Sequence, residues 1–335
     1  MSDLVRIYEV GPRDGLQNEA VVLPIEAKLR YIELLLAAGL RDIEATSFVS
    51  PKAIPQLADA DALVPRLPAT RLPRPDRNDR SPATPASPAS RSPTPTTPAA
   101  RFPVLVPNMR GMERAEAAGA EALAVFTAAT DAFTERNIGM TVAASLEAFA
   151  PVLRRARELD WWRRGYVSTA FGCPYTGAVE AERAVKVALR LLDLGVDEVC
   201  FGDTIGVGVP SQVAVLTGTA VAAGIPLEQI AFHFHDPRGT ALANVAAGLD
   251  AGVRCFDSAA GGTGGCPYAP GAAGNLATED LVYFLDASGW EHPADLGGVL
   301  EAARFAADAL GKPLTTKVGQ AGGWDASTGA PTARA

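Results

Sequence analysis

Apolar residues fall in two rhythms along this chain, and the two alternate. Ala- and Leu-rich stretches with helical spacing end in a glycine, and a short, nearly wholly apolar run follows. The unit recurs as LLLAAGLRDIEATSF, AEAAGAEALAVFTAA, LLDLGVDEVCFGD, VAAGIPLEQIAFHFHD and LDAGVRCFDSAAGG. Glycine suits the position just past a helix because it adopts a positive φ at little cost. The short runs read as strands buried on both faces, as in a parallel sheet. VRIYEVGPRDG, FPVLVPN and RRGYVSTAFG bring the strands to eight. Strands alternating with helices in that number predict an α/β fold of the (β/α)8 TIM-barrel type, with a doubly wound open sheet as the alternative.

Polar residues help choose between them. Arg13, Asp14, Glu44, Asn108, Tyr166, Asp203, His233, His235 and Cys266 are each expected just after a strand. A barrel brings the C-terminal ends of all its strands to one mouth, whereas an open sheet holds its first and last strands apart. If groups from the first strand are to meet His233 and His235, the sheet must close.

Two segments stand outside the pattern. Residues 66–101, rich in Pro, Ser, Thr and Arg, cannot supply a packed core and are expected to be a disordered insert between strands two and three. Their abrupt edges fit either a tolerated insertion or a stretch read in the wrong frame. Residues 319–335 are expected to be a mobile tail, which leaves 1–318 as a single domain.

Composition narrows the function. The net charge is −8, with no basic run outside the insert, which argues against nucleic acid as a partner. No apolar run approaches the length of a membrane span. Four cysteines, at 173, 200, 255 and 266, lack the paired spacing of a zinc site or a disulfide framework. With no evident leader, these point to a cytoplasmic protein.

Two of the three histidines lie in Ala231–Asp236, AFHFHD. In a strand, His233 and His235 share a face while Phe232 and Phe234 take the other. Such a pair is either half of a divalent-metal site or two histidines satisfied by hydrogen bonds; the adjacent acid favours metal. Asp14, in GPRDGLQ at the end of strand one, offers a hard oxygen ligand, and Arg13 a permanent charge for an oxygen that becomes anionic. The glycine-dense stretch 261–276 delivers a thiol, Cys266, and an amide oxygen, Asn275. Cys173 sits in a similar Gly-Cys-Pro-Tyr, and Cys200 and Cys255 read as core.

GPRDGLQNE, IEATSFVSPKAIPQ, VLVPN, GYVSTAFGCPY, GDTIGVGVP, HFHD and GGCPYAPGAAGNLATEDLVY together resemble the 3-hydroxy-3-methylglutaryl-CoA lyases. The likeness covers all but the insert and the tail. It implies a divalent cation, Mg²⁺ or Mn²⁺, held by Asp14, His233, His235 and Asn275. It also implies retro-Claisen cleavage of an acyl-CoA to acetyl-CoA and acetoacetate. In that reading Arg13 stabilises the enolate oxygen, Cys266 transfers a proton, Glu44 and Asp203 support the site, and His233 adds a proton-transfer role to ligation. Substrate contacts are expected from Arg13, Gln17, Ser47, Tyr166 and Thr204, and the assembly is expected to be a homodimer. The alternatives are a lyase for a longer 3-hydroxyacylglutaryl-CoA, a Claisen-type synthase, or a barrel silenced by the insert. Asp236-Pro237-Arg238-Gly239 departs from the family's usual Thr-Tyr-Gly after the acid, and Asp160-Trp161-Trp162-Arg163 is bulkier than expected. Neither change removes a ligand.

Overall fold

Each of the five helix-glycine-strand units closes with the same hydrogen-bond pair. In the computed structural model, which describes residues 4–68, 99–264, 274–325 and 330–332, Gly39 N–H donates to Leu36 O and Leu40 N–H to Leu35 O. The same two bonds recur at Gly119, Gly195, Gly224 and Gly252, and all five glycines have positive φ. This is a Schellman closure, which satisfies orphan carbonyls and turns the chain from helix into strand.

The chain begins with β1 (Arg6–Glu9), a π-helical turn over Gly11–Gly15, α1 (Ile25–Ala37), β2 (Asp42–Ile43), β3 (Thr46–Ser47) and α2 (Ala60–Leu63). After the Pro-rich stretch come β4 (Val104–Leu105), α3 (Met109–Ala117), β5 (Ala122–Ala128), α4 (Asp131–Ile138), α5 (Val142–Glu158) and β6 (Trp162–Ser168). A small ribbon of β7 (Gly172–Cys173) and β8 (Gly177–Ala178) precedes α6 (Ala181–Asp193), β9 (Glu198–Asp203) and α7 (Pro210–Ala222). Then follow β10 (Ile230–Phe234), α8 (Ala241–Asp250), β11 (Cys255–Ser258), α9 (Thr278–Ala287) and α10 (Leu296–Leu310). The stretch expected as a mobile tail carries most of α11 (Lys317–Ala321) and a ribbon of β12 (Gly323–Asp325) with β13 (Ala330–Thr332). Most of residues 66–101 lie outside the described residues, as does Cys266.

All nine strands of the main sheet run parallel, in the order β2-β1-β11-β10-β9-β6-β5-β4-β3. The sheet is curled. Its two end strands, β2 and β3, belong to one run interrupted only by Glu44 and Ala45, with Glu44 N–H bonding to Glu9 O and Ala45 N–H to Pro103 O. Helices cover the outer face, where Ile7, Ile43, Val125, Phe201, Phe232, Phe234 and Phe256 join the main core. Phe232 and Phe234 stack with centroids 5.3 Å apart, and burying each side chain stabilises the fold by about 1.5–3 kcal/mol.

The inner face corrects the expectation of nearly wholly apolar strands. Arg6, Asp42, Glu44, Arg164, Glu198 and Asp257 alternate along it with small or aromatic residues, and all but Arg6 are buried. Arg164 ion-pairs with Glu198 (3.0 Å) and Asp257 (2.6 Å), and Arg6 pairs with Glu198 and Asp42. Buried charges persist only where they are paired in this way. Period-two alternation was present in the sequence but was masked by the apolar outer positions.

Candidate active site

The GPRDG turn is held from beneath by one carboxylate. Glu9 accepts from Gly11 N–H (2.8 Å), Ala260 N–H (3.1 Å) and the Thr278 hydroxyl (2.7 Å). It therefore ties the first loop to the loop after β11. A Cβ on Gly11 would lie 2.6 Å from Glu9 Oε1 and 2.4 Å from the Tyr31 hydroxyl, so only glycine fits there. Asp14 N–H and Gly15 N–H both reach back to Val10 O, the wide turn that carries Arg13 and Asp14 inward.

Burial pushes Glu9 up to about 7, against the pull of its three donors, and the nearby Glu279 also up to about 7. Between the ordinary value of about 4.5 and about 7, the unfolded chain has lost this proton while the folded chain keeps it. Stability from Glu9 is thus full at low pH and falls as pH rises through that window, by up to about 3 kcal/mol. Glu9→Gln should flatten this part of the stability profile. Urea midpoints at pH 5 and pH 8 test this: the wild-type loss on going to pH 8 should exceed that of the variant.

Above the turn, Arg13 lies on Glu44. Its Nε donates to Glu44 Oε1 (2.9 Å), Nη2 to Oε2 (3.2 Å), and Nη1 to Asp14 Oδ1 (2.5 Å). The Tyr166 hydroxyl donates to Glu44 Oε2 (2.6 Å) and accepts from Arg164 (3.1 Å). Glu44 and Tyr166 both belong to the sheet's inner wall; Glu44 directly follows β2, as expected, whereas Tyr166 lies inside β6 rather than just after it. The reason is that this polar layer sits one level below the mouth.

His233 and His235 do share a face: their Nε2 atoms are 3.1 Å apart, and the ring centroids 5.1 Å. Ligand atoms of Asp14, His233 and His235 all lie within 4.8 Å of one another. Asn275 bridges across to His235 through the backbone, and its Nδ2 donates to Asp14 Oδ2 (2.9 Å) and Thr263 O (3.0 Å). Among the described residues its Oδ1 is buried without a partner, as is His235 Nδ1. Burial, then His233, then Arg13 push His235 down to about 4 despite Asp14, so its ring is neutral at physiological pH. Burial would raise Asp14, but Arg13 and the two histidines outweigh it and hold its carboxyl well below the usual range. One carboxylate, two imidazoles and an amide oxygen form a donor set that fits a divalent cation.

Arg13, Asp14, Gln17, Asn108, Tyr166, Thr204, His233 and His235 line a cleft of about 570 Å³, with Val49, Ile54, Phe126 and Met140 on its apolar side. Gln17 donates to Asp14 (3.1 Å). Two expected residues stand apart. Asp203 ends β9 with its flanking residues Gly202 and Thr204 in the cleft wall, and its own carboxylate takes the N–H groups of Val207 (2.9 Å) and Gly208 (2.8 Å). The Ser47 hydroxyl is buried on Leu105 O and Val49 N–H, both at 3.3 Å.

Comparison with known proteins agrees with this constellation. The HMGL-like family model matches residues 90–306. The hydroxymethylglutaryl-CoA lyase of Pseudomonas mevalonii is 43% identical over 95% of this chain and 96% of its own. The mitochondrial hydroxymethylglutaryl-CoA lyase of Mus musculus is 43% identical over 95% of this chain and 89% of its own. This chain belongs to the hydroxymethylglutaryl-CoA lyase family. Among solved structures, the hydroxymethylglutaryl-CoA lyase of Pseudomonas aeruginosa superposes with a TM-score of 0.84 at 39% identity, covering 96% of this chain and 98% of that one. An HMG-CoA lyase of Acinetobacter baumannii, in complex with coenzyme A and 3-methylmalate, gives 0.82 at 33% identity, covering 96% and 97%.

Within this family member, sequence reasoning missed Asp257 and Arg164. Asp257 Oδ2 lies 3.1 Å from His233 Nδ1, and Arg164 is completely buried beside it. The available signal was charge inside apolar strands, in RRGYVS and CFDS. No helix among the described residues is long and apolar enough to cross a membrane.

Proposed function

We propose that this chain cleaves 3-hydroxy-3-methylglutaryl-CoA to acetyl-CoA and acetoacetate, on a closed (β/α)8 barrel and with a divalent cation bound. The observation that carries the reading is the convergence of Asp14, His233 and His235 at the cleft, next to the Arg13–Glu44–Tyr166 layer. The relatives' names and the coenzyme A and 3-methylmalate bound to the Acinetobacter protein support an acyl-CoA substrate. Asp14, His233, His235 and Asn275 would hold the cation, which as Mg²⁺ or Mn²⁺ would supply Lewis acidity to the substrate hydroxyl.

The rest is the work of the chain's own residues. Transfer of the tertiary hydroxyl proton to a base of the site makes the C3 oxygen a ketone, and the C2–C3 electron pair passes into the thioester as an enolate. Arg13, held by two bonds to Glu44, presents its charge to that enolate oxygen. Cys266 returns a proton to C2, giving acetyl-CoA. Asp203 acts at one remove, by fixing the 204–208 loop that presents Thr204 to the cleft. The apolar side of the cleft receives the acyl arm. A cytoplasmic homodimer completes the proposal.

Acetoacetate release from 3-hydroxy-3-methylglutaryl-CoA, assayed with Mg²⁺, with Mn²⁺ and with excess EDTA, tests it. Rapid release that EDTA abolishes and either metal restores is expected. Folded protein that binds Mn²⁺ and releases nothing would refute the substrate, and release unaffected by EDTA would refute the cation.

A further inference from the structure

His233 has two ring nitrogens, and only one can face the cleft with a free lone pair. Which one is free is set by the partner of the other. Parallel pairing of β10 and β11 puts His233 level with Asp257 in register, on the inner face. Asp257 Oδ2 is 3.1 Å from His233 Nδ1 and also receives the Cys200 thiol at 3.7 Å. Asp257 Oδ1 accepts from Arg164 Nη2 at 2.6 Å. Arg164 is itself immobilised: it ion-pairs with Glu198, donates to the Tyr166 hydroxyl, and lies 3.7 Å over the Tyr8 ring. Asp257 and Arg164 are both essentially inaccessible to water.

We infer that Asp257, oriented by Arg164, is a positioning residue that fixes His233 in the Nδ1–H tautomer and so keeps its Nε2 lone pair turned toward Asp14 and His235. An ionised carboxylate only accepts hydrogen bonds, and the guanidinium beside Asp257 keeps it ionised. The bond to His233 must therefore carry its proton on Nδ1. The rest of the ring geometry agrees. His235 Nε2 lies 3.1 Å from His233 Nε2, so in the metal-free protein the His233 Nε2 lone pair is placed to accept from its neighbour. This is how a carboxylate behind a ligating imidazole raises its basicity and holds its plane. The inference deepens the proposed cation site and rests on that reading for its functional consequence.

Asp257→Asn is the decisive variant. Arg164 has no acceptor, so the new amide must turn its oxygen to Arg164 and its NH₂ to His233 Nδ1. The imidazole is then forced to the Nε2–H tautomer, and its lone pair is lost to the cleft. Long-range ¹H–¹⁵N spectra of metal-free protein read the tautomer directly. The expected result is Nδ1–H in the wild type and Nε2–H in D257N. Titration with Mn²⁺, followed by EPR of the free ion, should show affinity weakened by about 10–100-fold in the variant. KM for the acyl-CoA at saturating Mn²⁺ should be unchanged.

The two readings fail separately. A wild-type protein that binds no Mn²⁺ would sink the cation site while leaving the tautomer assignment standing. An Nε2–H wild-type His233 would overturn the inference even if D257N did not fold. A folded D257N with the wild-type tautomer, or with wild-type Mn²⁺ affinity, would overturn it too.

Discussion

Replacing Arg13 with methionine is expected to lower kcat by about 10²–10³-fold, the usual effect of removing one preorganised donor from a developing oxyanion. Methionine fills much of the space of the arginine stem but carries no charge. The loss should appear in kcat and kcat/KM alike, because the interaction is made with an enolate absent from the ground state. The fold should also weaken. Glu44 has no exposed surface, and its two oxygens are met by Arg13 Nε, Arg13 Nη2 and the Tyr166 hydroxyl. Without Arg13 a buried carboxylate keeps a single donor, and breaking such a pair costs about 3–5 kcal/mol. Steady-state kinetics with a urea unfolding curve on the same preparation checks both claims. Near-normal kcat in folded Arg13→Met would remove Arg13 from the chemistry. Arg13→Lys should recover little, since an ammonium cannot span both oxygens of Glu44 and also reach Asp14.

The second large effect is expected at Cys266. Cleavage leaves a carbanion equivalent at C2, and turnover requires its protonation. Gly264, two residues earlier, packs against the Asn275 amide; an added Cβ there would lie 2.7 Å from Nδ2. A thiol titrates near about 8.5, close enough to working pH to give up and regain a proton within each cycle. Cys266→Ala should therefore reduce kcat by about 10²–10⁴-fold, the range typical of lost general acid-base catalysis. KM should move little, because a thiol contributes little to holding the substrate. Steady-state rates and the affinity of coenzyme A for the variant separate the two roles. A parallel loss of affinity would make Cys266 a substrate contact instead.

The part of the fold that local rules govern was legible in advance. Helix, glycine and strand are specified by residues a few positions apart. The Schellman bonds at Gly39, Gly119, Gly195, Gly224 and Gly252 are the local consequence. His233 and His235 were placed on one face by the two-residue period of a strand, which needs no knowledge of neighbours. Motif likeness carried Arg13, Asp14 and Asn275 toward one site.

What the linear chain could not show is which side chains lie beside one another across strands. Glu44 meets Arg13 from 31 residues away, Tyr166 meets Glu44 across 122, and Asp257 reaches Arg164 across 93. Those pairings depend on strand register and on the curl of the sheet, which are set by packing of the whole inner layer. The same limit hid where the Asp203 and Ser47 side chains point. Asp203 stands between Gly202 and Thr204 of the cleft wall, but a step of one along a strand reverses the face. Sequence alone determined the elements and the identity of the ligand-bearing motifs. Tertiary structure decided which charges are buried together, because only there does the loss of water force each one to find its partner.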